Sequence, residues 1–522
     1  MKDLFCSYYT NSKEITSYMA AKLDVVDFDV ILEPSAGEGI FIDEILESNK
    51  TVQIDALDIN AEAIAILRKK YVNNPEVVLR ETDTLLDEQL DTYSVSQLWL
   101  KQTDTMFDKQ LDLFGALGGH YSKVIGNPPY GAWQDYEKRD ILKKKFAGHY
   151  VKETYSLFLL RCISVLKMHG RLSFIIPDTY LFLNMHSRLR EALFTNTKID
   201  EVLIFPSKFF PGVSFGYSNL SIITLERCEN SEALNNTFRV IQGFKSSSEF
   251  ELLLEKDNIL PEHLQVFNFT QKEVFSAEQC RMILAETKTT SLLSKGSKKL
   301  GDVANVVTGF YTGDNLRFIK AANKDVKGAK NYAVVDQEQV FSCNSLYGIP
   351  DVQEGYVPYI KSASKRRYVR QQDEWFVQWD KKTIEFYNRN KKSRFQNSSF
   401  YFKTGIGIPM VKSSTIRAFL MKDRVFDQSI VGIFPKDTSK LYYVLALMNS
   451  DAINNLVHAI NPSANNSANY IKQLPYIEPS EEQLTQINNI VQEIISLEEV
   501  ANYDKADELH NELNAIVDEI YS

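Results

Sequence analysis

The chain has 522 residues, 44% hydrophobic and 24% charged, the composition of an ordinary globular protein with room for about two to four domains. No run approaches ~18 apolar residues, which argues against a membrane span, and Asp3 in a short mixed N-terminus argues against a secretory signal. The five cysteines (Cys6, Cys162, Cys228, Cys280, Cys343) share no paired spacing, so neither a disulfide framework nor a metal site is expected, and the setting reads as reducing and cytoplasmic. The net charge of −9 hides a division: residues 356–425 carry 16 Lys/Arg against 5 Asp/Glu, whereas residues 478–522 carry 12 Asp/Glu against one Lys. For nucleic acid, that distribution matters more than the sum.

From residue 28 strands and helices alternate. Val30–Leu32 predicts a strand, Gly37–Gly39 a turn and Ile40–Glu47 a helix. Val52–Leu57 is a second strand ending at Asp58, Ala61–Lys70 a helix, and Val77–Leu79 a third strand ending near Asp83. A long connection over 86–120 precedes a fourth strand at Lys123–Gly126. Helix Tyr155–Met168, a turn at Gly170, strand Leu172–Ile176, helix His186–Phe194 and strands Glu201–Phe205 and Leu220–Leu225 follow. This rhythm predicts an α/β, Rossmann-like doubly wound sheet over residues 1–240, with ligands at the carboxyl ends of its strands. Residues 241–299 read as a linker with connecting strands. Residues 300–477 read as a mixed α+β domain with short strands at Val306–Asp314, Trp375–Trp379 and Phe400–Ile408. Apolar residues at helical spacing from Leu484 to Ile495 and from Leu509 to Ile520 predict a C-terminal helical hairpin over 478–522.

Two constellations carry chemistry. The first is Glu33-Pro34-Ser35-Ala36-Gly37-Glu38-Gly39 after strand one. Its two glycines permit a sharp turn close to a ligand, yet the third glycine of the dinucleotide fingerprint is missing and no basic residue awaits a pyrophosphate. Asp58 is placed to accept two ribose hydroxyls and Asp83 to meet an adenine amino group. Carboxylates without a basic partner suit S-adenosylmethionine, which has a sulfonium, an ammonium and no phosphate; solvated loop acids are the bland alternative. The second is Asn127-Pro128-Pro129-Tyr130 after strand four. The prolines stiffen the backbone, so the Pro128 carbonyl and the Asn127 side-chain oxygen form a rigid pair of acceptors. Two hydrogen bonds from a planar amino group would draw it toward tetrahedral geometry and free its lone pair for methylation, with no side-chain base required. Tyr130 offers a face on which the planar substrate stacks.

These motifs, with Thr10, Asp58-Ile59, Asp83, Phe158 and Phe209-Phe210-Pro211 in this order, resemble the gamma class of amino-methylating DNA adenine methyltransferases, related to the methyltransferase and recognition parts of type IIG restriction-modification enzymes. The resemblance covers about residues 5–230. It continues more loosely through 300–477, where Thr308-Gly309-Phe310-Tyr311-Thr312-Gly313-Asp314-Asn315-x-Arg317-Phe318 looks like the opening of a target-recognition domain, and Asn449-Ser450, Asn461-Pro462 and Leu474-Pro475 like its close. It implies a class I S-adenosylmethionine-dependent fold with cofactor contacts at Thr10, Glu33, Ser35, Ala36, Gly37, Asp58, Ile59, Asp83, Thr84, Asn127 and Phe158. It also implies catalysis by Asn127, Pro128, Pro129 and Tyr130, with Phe210 rather than Phe205 on the far face of a flipped adenine.

A base within a duplex cannot reach a pocket over a sheet edge unless it is rotated out, which fits the aromatic residues near the site. Lys365, Arg366, Arg367 and Arg370 with Lys391, Lys392 and Arg394 are expected to neutralise phosphates of double-stranded DNA. The expected function is site-specific N6-adenine methylation of DNA in a restriction-modification or phage-defence setting, by a monomer on DNA alongside a separate restriction endonuclease. A methyltransferase of protein glutamine or RNA guanine, and a catalytically silent DNA-binding module, are the competing readings. A fused nuclease is not expected: the chain begins almost at the cofactor motif, and Glu286-Thr287-Lys288 lacks a Pro-Asp at a suitable distance.

Overall fold

The computed structural model describes residues 12–93, 119–131, 136–209, 219–255, 260–284, 298–370, 372–410, 415–460 and 466–521. The chain forms two compact units, Met1–Met282 and Ile283–Ser522.

Among the described residues, the first unit is built on nine strands: β1 (Val30–Glu33), β2 (Gln53–Asp58), β3 (Val77–Glu81), β4 (Tyr121–Gly126), β5 (Leu166–Pro177), β6 (Thr197–Pro206), β7 (Asn219–Arg227), β8 (Thr237–Gln242) and β9 (Gln265–Thr270). Their order across the sheet is β3-β2-β1-β4-β5-β7-β6-β8-β9. β7 runs antiparallel to β5 and β6, and β9 antiparallel to β8; the remaining neighbours are parallel. The chain runs outward from β1 through β2 to β3, then returns to lay β4 on the other side of β1, with Ile31 opposite Lys123 and Leu32 opposite Val124. That reversal opens a crevice beyond the carboxyl ends of β1 and β4, the place where open α/β sheets bind ligands.

The central strands are apolar because both faces are covered: Ile31, Leu32, Val124 and Ile125 are fully buried. Helix Thr154–Val165 is buried along its whole length. It stops at Val165 rather than at the expected Met168 because Leu166 turns extended and pairs with Tyr121 of β4. The sheet also continues past residue 240: β8 and β9 take the stretch read as a linker and its connecting strands into the first unit as far as Met282.

The second unit contains two four-stranded sheets. One has the order β11 (Ala304–Thr308), β18 (Ile430–Pro435), β15 (Gly405–Pro409), β16 (Phe419–Met421); the other β12 (Ile319–Ala321), β14 (Trp375–Gln378), β13 (Tyr356–Ile360), β17 (Val425–Phe426). A two-stranded ribbon pairs β10 (Lys298–Lys299) with β19 (Pro475–Tyr476). The core is aromatic, with Phe310 packed among Tyr359, Trp379, Tyr387, Phe395 and Tyr401. Helices Glu481–Glu499 and Tyr503–Tyr521 form the anticipated C-terminal hairpin. Among the described residues no helix is long and apolar enough to cross a membrane.

Candidate active site

Glu33 closes β1 and is only 1% exposed, with Oε2 lacking any hydrogen-bond partner. Burial, reinforced by the Asp58 and Asp43 carboxylates, pushes its pKa well above the usual carboxylate range. An acid held in this way is suited to a cationic group, which would restore its charged form. Asp58 ends β2, and its two oxygens accept from Gly37 N–H and Asn60 N–H, each at 2.8 Å. The turn depends on Gly39: its φ is +78°, and a Cβ there would lie 2.6 Å from the Tyr71 hydroxyl. Asp83, just beyond β3, accepts from Leu85 N–H and pairs with Lys138 at 2.6 Å, so this carboxylate has a basic partner, contrary to the expectation from the sequence. The buried Thr84 hydroxyl donates to the Pro34 carbonyl at 2.5 Å and so ties the loops after β1 and β3 together. Ala36 N–H donates to Leu57 O, and Ile59 is left 44% exposed. Phe158 is buried on helix Thr154–Val165. One turn further along, the fully buried Arg161 donates to Asp87 O at 2.7 Å and pairs with Asp91.

The crevice joins the two sequence motifs. Ser35 Oγ donates to the Asn127 carbonyl at 3.2 Å, across ninety-odd residues of sequence. Asn127 and Pro129 are half-buried, and Pro128 and Tyr130 are buried. Thr154 Oγ1 donates to the Pro129 carbonyl at 2.6 Å, anchoring the Asn127–Tyr130 loop to the helix that bears Phe158. The turn before Thr154 is braced in its own right: His186 Nε2 lies 2.8 Å from Glu153 and 3.1 Å from the Tyr155 hydroxyl. On the strand beyond β4, the pairing of Pro177 with Leu220 sets Asp178 opposite Asn219, whose amide donates to Asp178 Oδ2 at 3.2 Å. Burial pushes Asp178 up to about 7.

Thr154, Arg161, Lys138 and Asp178 were absent from the residues singled out by sequence. No spacing rule joins Thr154 to Pro129 or Arg161 to Asp87; only the sheet order does. Thr10, Phe210, Pro211 and the Asn461-Pro462 pair lie outside the described residues, as do Glu286–Lys288 and residues 94–118 of the long connection. Phe205 is buried in an aromatic cluster with Phe209 and Phe250, so it serves the core.

The basic block divides in two. Arg366 is turned inward onto the C-terminal hairpin, donating to Glu498 through Nε and Nη2 and pairing with Asp507 at 2.8 Å. Arg370, its side chain 10% exposed, donates to the Ser362 carbonyl and faces Glu374. These two guanidiniums are therefore committed within the unit, contrary to the expectation that they meet phosphates. Lys365 is exposed and Arg367 half-buried beside them. Lys391, Lys392 and Arg394 are exposed on a separate loop, where Arg394 pairs through its backbone with Tyr311 and Ser393 Oγ donates to Thr312 O. The loop thus abuts the Thr308–Phe318 motif.

Residues 52–210 match the family described as Eco57I restriction-modification methylase. The chain is 23% identical over 383 residues to the Type II methyltransferase M.AccI of Acinetobacter calcoaceticus, covering 72% of this chain and 60% of that protein. It is 22% identical over 382 residues to the adenine-specific methyltransferase BrxX of Escherichia coli O9:H4 (strain HS), covering 69% of this chain and 28% of BrxX. The chain thus spans 60% or less of the length of these relatives. The solved structure of a nuclease-deletion mutant of the Type ISP restriction-modification enzyme LlaGI, in complex with a DNA substrate mimic, shares the fold with a TM-score of 0.55 at 14% identity, over 94% of this chain and 55% of that one. The segment 52–210 that matches this family model contains Asp58, Asp83, Asn127–Tyr130 and Phe158.

Proposed function

We propose that the chain is a site-specific DNA adenine N6-methyltransferase that takes its target adenine out of the duplex and uses S-adenosylmethionine. The observation that carries this reading is the meeting of Asn127-Pro128-Pro129-Tyr130 with the loop that follows the buried Glu33, whose Oε2 lacks a hydrogen-bond partner, at the reversal between β1 and β4. The donor set fits the cofactor: Glu33 would face its cationic end, Asp58 its ribose hydroxyls and Asp83 its adenine amino group, with Ser35, Ala36, Gly37, Ile59, Thr84 and Phe158 walling the site and Thr10 contributing from the N-terminus. S-adenosylmethionine, when bound, supplies a methyl group activated on sulfonium.

The chain's own residues do the rest. The Asn127 side-chain oxygen and the Pro128 carbonyl accept the two N–H bonds of the target amino group and draw its lone pair out of conjugation. The rigidity of the prolines holds those acceptors in place before the base arrives, so little reorganisation is left for the reaction. Thr154 donates to the Pro129 carbonyl and so steadies the loop beside these acceptors. Tyr130 stacks on one face of the extruded base and Phe210 on the other. The partner is double-stranded DNA bound by one copy of the chain, with a separate restriction endonuclease or phage-defence component sharing the recognition site.

Transfer of labelled methyl groups to plain duplex DNA, in parallel with protein and RNA acceptors, tests the reading. N6-methyladenine in the duplex is the expected product, and N127A is expected to abolish it while duplex affinity persists. Labelling of only protein or RNA would overturn it.

A further inference from the structure

We propose that the second unit reads duplex DNA with the outward face of helix Lys381–Arg389 and the loops beside it, Glu385 and Asn390 meeting base edges while surrounding cations hold the phosphates. This rests on the DNA-methylation reading and names the surface that would give that activity its sequence preference.

Helix Lys381–Arg389 has two unlike faces. Thr383, Ile384 and Tyr387 are buried, the last two in the aromatic core. Lys382, Glu385, Phe386 and Arg389, at helical spacing, line an open pocket of ≈ 390 Å³ together with Asn390. The helix is held firmly at its start, where Asp380 accepts from the Thr383 N–H and hydroxyl at 3.0 and 2.9 Å.

The neighbouring loops extend the pocket rim. Phe386 packs on Phe318, and the Arg317 guanidinium lies over both rings, 4.7 Å from Phe318 and 5.4 Å from Phe386. Asp314 caps the short turn carrying Arg317, and Gly313 (φ +88°) runs so close to Ser393 that a Cβ would stand 3.1 Å from its backbone nitrogen. Arg317, Lys382, Arg389, Lys391, Lys392 and Arg394 are all exposed. Among the described residues, none of these six has an ion-pair partner, whereas Arg366, Arg370 and Arg424 in the same unit are each paired with an acid.

Unspent cations around a stiff helix suit a polyanion, and the helix is slim enough for the major groove of a duplex. What distinguishes the surface from a generic basic patch is its centre. Glu385 is an exposed acid amid cations that would be neutralised by phosphates, so its carboxylate remains as a pure acceptor, matched to the amino group of cytosine. Asn390 Oδ1 already accepts from Lys392 N–H at 2.8 Å, which leaves the amide nitrogen as a donor for a purine N7 or an oxygen at a base edge. An acceptor and a donor at fixed spacing can discriminate base pairs; a phosphate clamp alone cannot.

The test uses the full chain. Duplex affinity is measured by fluorescence anisotropy across a salt series for wild type, K382A/R389A and, as a comparison from the other part of the basic block, K365A/R367A. Each lost phosphate contact should lower the slope of log K against log salt by about 0.9, so K382A/R389A is expected to lower it by about 1.8. E385Q and N390A are then mapped by methylation-sensitive long-read sequencing of a host expressing each. A methylated motif relaxed or altered at one or two positions, with melting temperature unchanged, is expected. Unchanged motifs in both variants, or a loss of salt dependence in K365A/R367A but not in K382A/R389A, would overturn the assignment while leaving DNA methylation standing. A wild-type chain that methylates no duplex would instead sink the underlying reading, and the salt series would still decide whether this face binds DNA.

Discussion

Arg366 provides a quantitative test of whether the first basic cluster faces DNA or holds the fold. Its Nε lies 2.9 and 3.1 Å from the two oxygens of Glu498 and its Nη2 lies 2.6 Å from Oε1, with the Glu498 side chain only 2% exposed. The guanidinium also lies 4.6 Å from the ring centre of Tyr503 and 2.8 Å from Asp507, whose side chain is 53% exposed. Removing the cation from a buried, bidentate carboxylate costs about 3–5 kcal/mol, because the remaining charge has no water to turn to. The exposed Asp507 adds at most about 1 kcal/mol, and stacking on Tyr503 about 0.5–1 kcal/mol. R366A is therefore expected to destabilise the second unit by about 4 kcal/mol, lowering Tm by on the order of 10 °C. R366M/E498M, which leaves no orphaned charge, should recover much of that loss. Urea unfolding followed by circular dichroism measures both. If R366A unfolded within about 1 kcal/mol of wild type while its DNA affinity lost salt dependence, Arg366 would be a phosphate contact and the inward assignment would be refuted.

Three other perturbations probe the first unit. T154V removes the donor from the Pro129 carbonyl and should cut kcat by about ten- to a hundredfold with cofactor affinity intact, while T154S retains activity; equal rates for all three would dismiss the anchor. E33Q should weaken S-adenosylmethionine binding at least about tenfold in calorimetry without lowering the melting temperature of the ligand-free protein, since a neutral amide replaces a buried acid; unchanged affinity would remove Glu33 from the site. Asp178, whose pKa is raised by burial to about 7, holds its proton in the folded state while the unfolded chain has already released it above about 4. Its contribution is full below about pH 4 and is lost as pH rises from about 4 to 7, so D178N should flatten the decline in stability across that window; parallel profiles would exclude that linkage.

Much of the first unit was legible because strand alternation and two motifs carry local signatures. Val30–Leu32 and Lys123–Gly126 are apolar runs followed at once by turns, and a strand buried on both faces has to read that way. The end of helix Thr154–Val165 was misjudged because Leu166 obeys its partner Tyr121 on β4, a contact invisible in a local window. The same holds for β8 and β9, whose place in the sheet follows from pairing with β6 and with each other. At the site, the Asn127–Tyr130 loop could be picked out from residue type, but the bonds that brace it could not: Thr154 was not singled out, Ser35 was singled out only as a cofactor contact, and both act on backbone carbonyls that any residue would provide. The charge block misled for a related reason. Lys365–Arg370 and Lys391–Arg394 look alike as strings, yet Glu498 and Asp507, more than a hundred residues away, claim Arg366.

The short ribbon pairing Lys298 with Tyr476 and Lys299 with Pro475 has an evolutionary consequence. It brings the entrance and exit of residues 300–474 side by side, so that stretch leaves and returns through a single doorway. Such an arrangement lends itself to exchange: a gene segment could be traded between relatives at two neighbouring seams, and the strands of the first unit would not need to change. An incoming segment would have to keep its contacts with the hairpin, among them an arginine for Glu498, a tyrosine for His510 and an acid for Asn514.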